Sequence, residues 1–180
     1  MSVPAALMTI LTLGPAYGLQ LHAELASRLP HRDSTNVGQI YSTLERLTRD
    51  GFVVRSGETT DGLPLYDLTE KGRQKSFSWM AGNDLTTKSP WTEIMDVLLV
   101  DATIERAPLT QACDHVETLF EIDSSRNEPS VIDAQEHLNR AILATVADIR
   151  RAITTGTLPH RDLDEKRPTR GRRPRSLSTS

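Results

Sequence analysis

Gln39, Ser42, Arg46 and Arg49 stand three, four and three positions apart, a spacing that sets an amide, a hydroxyl and two guanidinium groups along one helical face. Such groups can read base edges in a major groove and hold phosphate oxygens: an amide or a guanidinium bonds a purine edge in two places, and a hydroxyl serves either way. Thr35, Asn36 and Tyr41 add an amide and two hydroxyls beside them. On this reading Gln39 and Ser42 approach base edges, Thr35 and Tyr41 bond phosphates, and Arg46 with Arg49 adds charge near the backbone. The plainer alternative for the same face is a solvated surface that happens to be polar.

A helix over about residues 36–50 has to carry that face. Val37, Ile40, Leu44 and Leu47 recur at helical spacing opposite it and anchor the helix on one side. Ser34, Thr35 and Asn36 offer oxygens to cap its first amides, and Gly51 suits its end. Two helices are expected ahead of it. Residues 5–13 hold Leu7, Ile10 and Leu11 on one face and close at Gly14-Pro15; a second helix from Tyr17 aligns Leu21, Leu25 and Leu29 and stops at Pro30. After Gly51 the period changes: residues 52–55 and 65–68 are short β-prone runs joined through Asp61-Gly62, which predicts a hairpin. Thr69 then caps a helix running to about Met80.

The expected fold class is mostly α with a small β-hairpin wing, an N-terminal winged helix-turn-helix followed by a C-terminal helical dimerisation domain. The polar stretch 82–90 marks the boundary, giving a winged helix-turn-helix over 1–82 and a helical dimerisation or effector domain over 90–157. In the second part Ile94, Val97, Leu98 and Val100 spread apolar groups almost around a helix. Leu109, Cys113, Val116 and Phe120 form a second stripe, and Leu138, Ile142, Val146, Ile149 and Ile153 a third on a helix over about 129–155. So small a helical unit buries too little alone, which favours packing on a second copy. Residues 158–180, rich in Arg, Pro, Ser and Thr, read as a disordered basic tail.

Charge is unevenly distributed. Residues 1–75 carry eight basic and eight acidic side chains, residues 76–160 six and thirteen, and residues 161–180 seven and three. An acidic centre repels phosphate, so a nucleic-acid surface belongs to the first part or the tail. Lys166, Arg167, Arg170, Arg172, Arg173 and Arg175 would serve either as a DNA-touching arm or as a solubilising end.

Other functions find little support. No H-E-x-x-H pair, phosphate-binding glycine loop or nucleophile elbow occurs, the five histidines are scattered, and one cysteine, Cys113, permits neither a disulfide nor a cysteine zinc site. No catalytic residue, metal or cofactor is therefore expected. The chain lacks a run long enough to span a membrane and reads as cytoplasmic.

The N-terminal part resembles the PadR family of bacterial transcriptional regulators. The resemblance rests on Leu13-Gly14-Pro15 with Tyr17-Gly18, then Gly38-Gln39-Ile40-Tyr41 with Leu44, Leu47 and Asp50-Gly51, and Tyr66-Asp67-Leu68-Thr69-Glu70-Lys71-Gly72 after the wing. It implies a homodimer acting as a repressor on an inverted-repeat operator in double-stranded DNA, with Tyr41 near the DNA backbone. It also implies a place for a small apolar or aromatic effector, for which Trp79 and Trp91 are candidate lining residues; packing at the junction of the two parts is their other reading. Two departures are visible: Ser42 stands where the family often has proline, and the wing carries Glu58 and Asp61 where it is often basic. The acidic wing keeps an alternative open, a winged-helix module that binds protein rather than DNA.

Overall fold

A computed structural model describes residues 2–120 and 134–164. Seven helices and three strands follow in order: α1 (Ser2–Ile10), β1 (Ala16–Tyr17), α2 (Gly18–Arg28), α3 (Val37–Arg49), β2 (Val53–Glu58), β3 (Pro64–Leu68), α4 (Glu70–Met80), α5 (Trp91–Asp101), α6 (Leu109–Phe120) and α7 (Ala134–Thr155). Short 3-10 turns, Leu11–Leu13 and Pro30–Arg32, close α1 and α2. The first helix thus starts earlier than residue 5, and its last apolar residues tighten into the turn that Gly14, at φ 142°, releases.

The wing is more than a hairpin. Its sheet has the order β1-β3-β2, because Ala16 and Tyr17 pair antiparallel with Tyr66 and Leu65. Two residues are too few to show a period, so only the long-range pairing makes them a strand. The β1 edge of the sheet is thereby tied to the start of α2. At the opposite end Gly62, at φ 79°, completes a turn in which Thr59 accepts the amide of Leu63 at 3.0 Å. Thr69 caps α4 by accepting from the amide of Gly72 at 3.1 Å. Gly72 itself is dictated by contact, since a Cβ there would lie 2.0 Å from the Phe52 carbonyl oxygen.

One apolar core runs through both parts of the chain, from Leu7, Ile10, Leu25 and Leu44 to Ile94, Leu98, Val116 and Val146. Helix α5 packs on α1 and α4, and α6 and α7 pack on each other and on α5. Residues 82–90 form the expected polar loop, with Leu85 turned into the core.

The expected free tail does not begin at 158. Leu158 and Leu163 pack against the core, and the stretch between them lies across α2 and the end of α5. Arg28, 3% exposed, donates to the carbonyls of Arg161 at 3.2 Å and Asp162 at 3.1 Å, to Glu24 at 2.9 Å, and to the hydroxyl of Thr103. A buried guanidinium needs several acceptors, and backbone carbonyls of this strap supply them, which is why a polar segment is held in place. Residues 165–180, with the basic side chains of the tail, and residues 129–133, with which the expected last helix begins, lie outside the described residues.

Candidate nucleic-acid interface

Helix α3 is strongly two-sided. Ile40 and Leu44 are fully buried, Leu47 and Thr43 nearly so, while Gln39, Ser42, Arg46 and Arg49 are exposed on the other side. Asn36 caps the helix, its side-chain oxygen accepting from the amide of Gln39 at 2.8 Å, so its amide nitrogen alone is left to meet a partner. The Ser42 hydroxyl donates to the Gln39 carbonyl at 3.1 Å, which turns its lone pairs outward. Arg46 leans on the Thr43 hydroxyl at 3.3 Å, and Arg49 meets Asp50 at 3.2 Å with both side chains largely in solvent. An exposed pair of that kind is worth little and yields readily to a phosphate.

Two members of the expected set stand differently. Thr35 is 8% exposed, and its carbonyl is bonded to the His22 ring nitrogen at 2.8 Å. The chain there passes against α2 just before the cap, which leaves Thr35 little surface to offer a phosphate. Tyr41 is half-buried, its ring seated against Gly18 so closely that a Cβ on the glycine would lie 2.6 Å from ring carbons. The tyrosine therefore joins α3 to the first turn of α2. Glu45, exposed beside Ser42 and Arg46, belongs to the same face and was not singled out from sequence. Its position, three residues beyond Ser42, is the signal that could have found it.

The turn into α3 is clamped from behind by a residue that sequence did not single out. Asp96 of α5, fully buried, sits 2.7 Å from His31 Nε2 and accepts from Arg32 at 3.1 and 2.8 Å. Trp91, a turn earlier and 46% exposed, stands with its ring 6.0 Å from that of His31. Trp79 is apart from it, 3% exposed, its indole N–H without an acceptor among the described residues. It lines an apolar cavity of about 550 Å³ with Met8, Leu47, Arg46, Phe52 and Glu93, so the wall is built partly from α3. The two tryptophans thus do not share that cavity.

The wing tip is acidic and exposed, with Asp61 accepting from the Thr59 hydroxyl at 2.7 Å and Glu58 in solvent. Arg55, on β2, lies 6.0 Å from the Tyr66 ring centre and is the cation of that strand. Cys113 is fully buried between α6 and its neighbours, and burial pushes its thiol up to about 11, the opposite of what a nucleophile needs. Among the described residues no group of three His, Cys, Asp or Glu side chains could hold a metal ion, and no helix is long and apolar enough to cross a membrane.

Residues 7–76 match the family model of the transcriptional regulator PadR-like family. No curated protein matches the chain.

Proposed function

We propose, on the match of residues 7–76 to the PadR-like transcriptional regulator family model, that the protein is a sequence-specific DNA-binding repressor that acts as a homodimer on an inverted repeat. The observation that carries this reading is the division of α3 into a buried aliphatic side and an open side bearing Gln39, Ser42, Arg46 and Arg49. Gln39 and Ser42 are assigned to base edges; Tyr41, Arg46, Arg49 and the Asn36 amide nitrogen are assigned to phosphates. Each reader enters a major groove, the two being about 34 Å apart along the duplex. Met95, Leu99, Leu138, Leu143 and Ile153, left only partly buried on α5 and α7, support pairing through the helical part. The cavity beside Trp79 is the proposed seat of an apolar effector, because an occupant there would touch α3 itself.

An electrophoretic shift on the duplex upstream of the protein's own gene, with an unrelated duplex as control, tests the reading. Gln39→Ala should lose discrimination at one position of each half-site, about 1–3 kcal/mol, and Arg46→Ala should weaken both duplexes alike. Unchanged affinity in both variants would remove α3 as the reader. Glu45 on α3 and the acidic wing support a second reading, a module that binds a protein partner; absence of any shift with the wild-type chain would favour it.

A further inference from the structure

Glu45 stands on the open side of α3, exposed and about one helical turn beyond Ser42. At about 100° per residue, the direction opposite the buried Ile40, Leu44 and Leu47 runs between Ser42 and Arg49. Glu45 lies about 50° from that direction, and Gln39 about 70° from it on the other flank. A duplex that meets Ser42 and Arg49 therefore meets Glu45 at least as squarely as it meets Gln39.

Among the described residues no side chain pairs with the Glu45 carboxylate. Arg49, four positions on at a spacing that often pairs, meets Asp50 at 3.2 Å instead, and Arg46 leans on the Thr43 hydroxyl at 3.3 Å. The helix beneath is fixed by its Asn36 cap and its buried aliphatic side, so the carboxylate is presented at a set register.

The phosphates of a duplex repel a carboxylate, so Glu45 gains nothing from the backbone. It accepts hydrogen bonds and donates none, which leaves it two partners in the major groove, the amino groups of adenine and cytosine. The adenine amino group lies between two acceptors, its own N7 and O4 of the paired thymine, and both repel an anion. The cytosine amino group has one acceptor beside it, O6 of the paired guanine, and a bare carbon edge on its other side. Gln39 and Ser42 both donate and accept, so each tolerates several bases; Glu45 is the strictest member of the face.

We propose that Glu45 is a specificity-determining residue of α3, accepting from the N4 amino group of a cytosine in each half-site and rejecting the other bases there. The proposal rests on DNA being the ligand of α3 and adds a base that each half-site must contain.

Selection from a duplex library with a randomised stretch, read by sequencing the bound fraction, tests it on wild type, Glu45→Ala and Glu45→Gln. Both replacements favour helix, and the side chain they remove has no partner among the described residues, so the fold should be undisturbed. Wild type should enrich cytosine at one position of each half-site. Glu45→Ala should lose that preference and keep the rest of the pattern. Glu45→Gln, which can also donate, should admit adenine there, because an amide bonds adenine N6 and N7 together. In anisotropy titrations at fixed salt, replacing that cytosine in one half-site should weaken wild type about 5- to 150-fold and Glu45→Ala by less than about twofold. If Glu45→Ala keeps every base preference of the wild type, whatever happens to overall affinity, or if the position it loses holds a base other than cytosine, the assignment is overturned and α3 still stands as the reader. A wild-type selection that enriches no sequence would overturn both.

Discussion

Helix α5 carries two fully buried aspartates five positions apart, and the same substitution at each should change stability in different ways. Asp96 has a partner for each oxygen: His31 at 2.7 Å, and Arg32 at 3.1 and 2.8 Å. In Asp96→Asn one oxygen becomes an NH2 facing a cationic donor. Stranding a partner of a buried pair costs about 3–5 kcal/mol, and a hydrogen bond to a charged group about 1.5–3 kcal/mol. The His31 and Arg32 side chains keep 20% and 24% of their surface in water. Solvent can therefore reach the stranded cation, which places the loss near the lower end, about 2–3 kcal/mol, or roughly 4–12 °C in Tm for a chain of this size. Among the described residues Asp101 has no partner for either oxygen, and burial pushes its carboxyl well above the usual carboxylate range. Below the ordinary value, 3.8, folded and unfolded chains both hold the proton. As pH rises beyond it, the unfolded chain releases the proton and the folded chain retains it, so the wild type loses a factor of ten in its folding equilibrium per pH unit until the folded-state value is passed. Asp101→Asn has no proton to retain, so it should match the wild type near pH 4 and outlast it increasingly toward neutrality. Urea unfolding of wild type, D96N and D101N between pH 4 and 8 measures both effects, and titrations common to all three cancel in the comparison. Equal losses in the two variants, or an advantage of D101N that does not grow with pH, would refute the claim that partnering rather than burial decides the sign.

Gly72→Ala places a methyl carbon 2.0 Å from the Phe52 carbonyl oxygen, which is backbone and already accepts from the Thr69 amide. Gly18→Ala meets only the Tyr41 ring, at 2.6 Å. The ring can swing away, so Gly18→Ala should cost about 1–3 kcal/mol and Gly72→Ala more than that, read as urea midpoints; the reverse order would contradict the contact argument. Asn36→Ala should cost about 1 kcal/mol through loss of the cap on α3, and Asn36→Asp should restore most of it. If Asn36→Asp folds as well as wild type yet binds duplex less, the amide nitrogen is the part that meets phosphate.

Helix α3 was readable because its apolar stripe, its Asn cap and Gly51 are all local signals that point to the same boundaries, and Val37–Arg49 matches the expected 36–50 closely. The Thr69 cap and the wing were readable for the same reason. What escaped depended on distant partners. Ala16 and Tyr17 become a strand only by pairing with Tyr66 and Leu65, and Asp96 is tolerable amid an apolar run only because His31 and Arg32 reach it across about 65 positions. The strap has two apolar residues, Leu158 and Leu163, in a composition that reads as free chain; its order comes from carbonyls that satisfy Arg28, and backbone acceptors leave no trace in sequence. Thr35 is polar and next to the cap yet lies under α2, a burial that no local signal announces. The i, i+4 spacing of Glu24 and Arg28 was visible, but that spacing is common on solvated helices and does not announce burial.

The same buried links limit how a signal could move the proposed readers. Pivoting the winged-helix part against α5 would break Asp96 from His31 and Arg32, and would pull α2 from the strap at Arg28 and Glu24. The first rupture strands the buried Asp96 charge, at about 3–5 kcal/mol where water cannot enter; the second leaves Glu24 and Arg28 paired within α2 but forfeits their bonds to the backbone of Arg161, Asp162 and Asp164. Allosteric coupling free energies are typically about 1–3 kcal/mol, too small to open both joints together. Helices α1 to α5 with the strap should therefore travel as one body, and the separation of two reading heads in the proposed dimer should change where α6 and α7 meet a second copy. An occupant of the cavity beside Trp79 would act within that body, on the seating of α3 through Leu47 and Arg46, rather than on the distance between subunits. The two routes differ in what they alter: the first changes the preferred spacing between half-sites, and the second weakens each half-site at unchanged spacing.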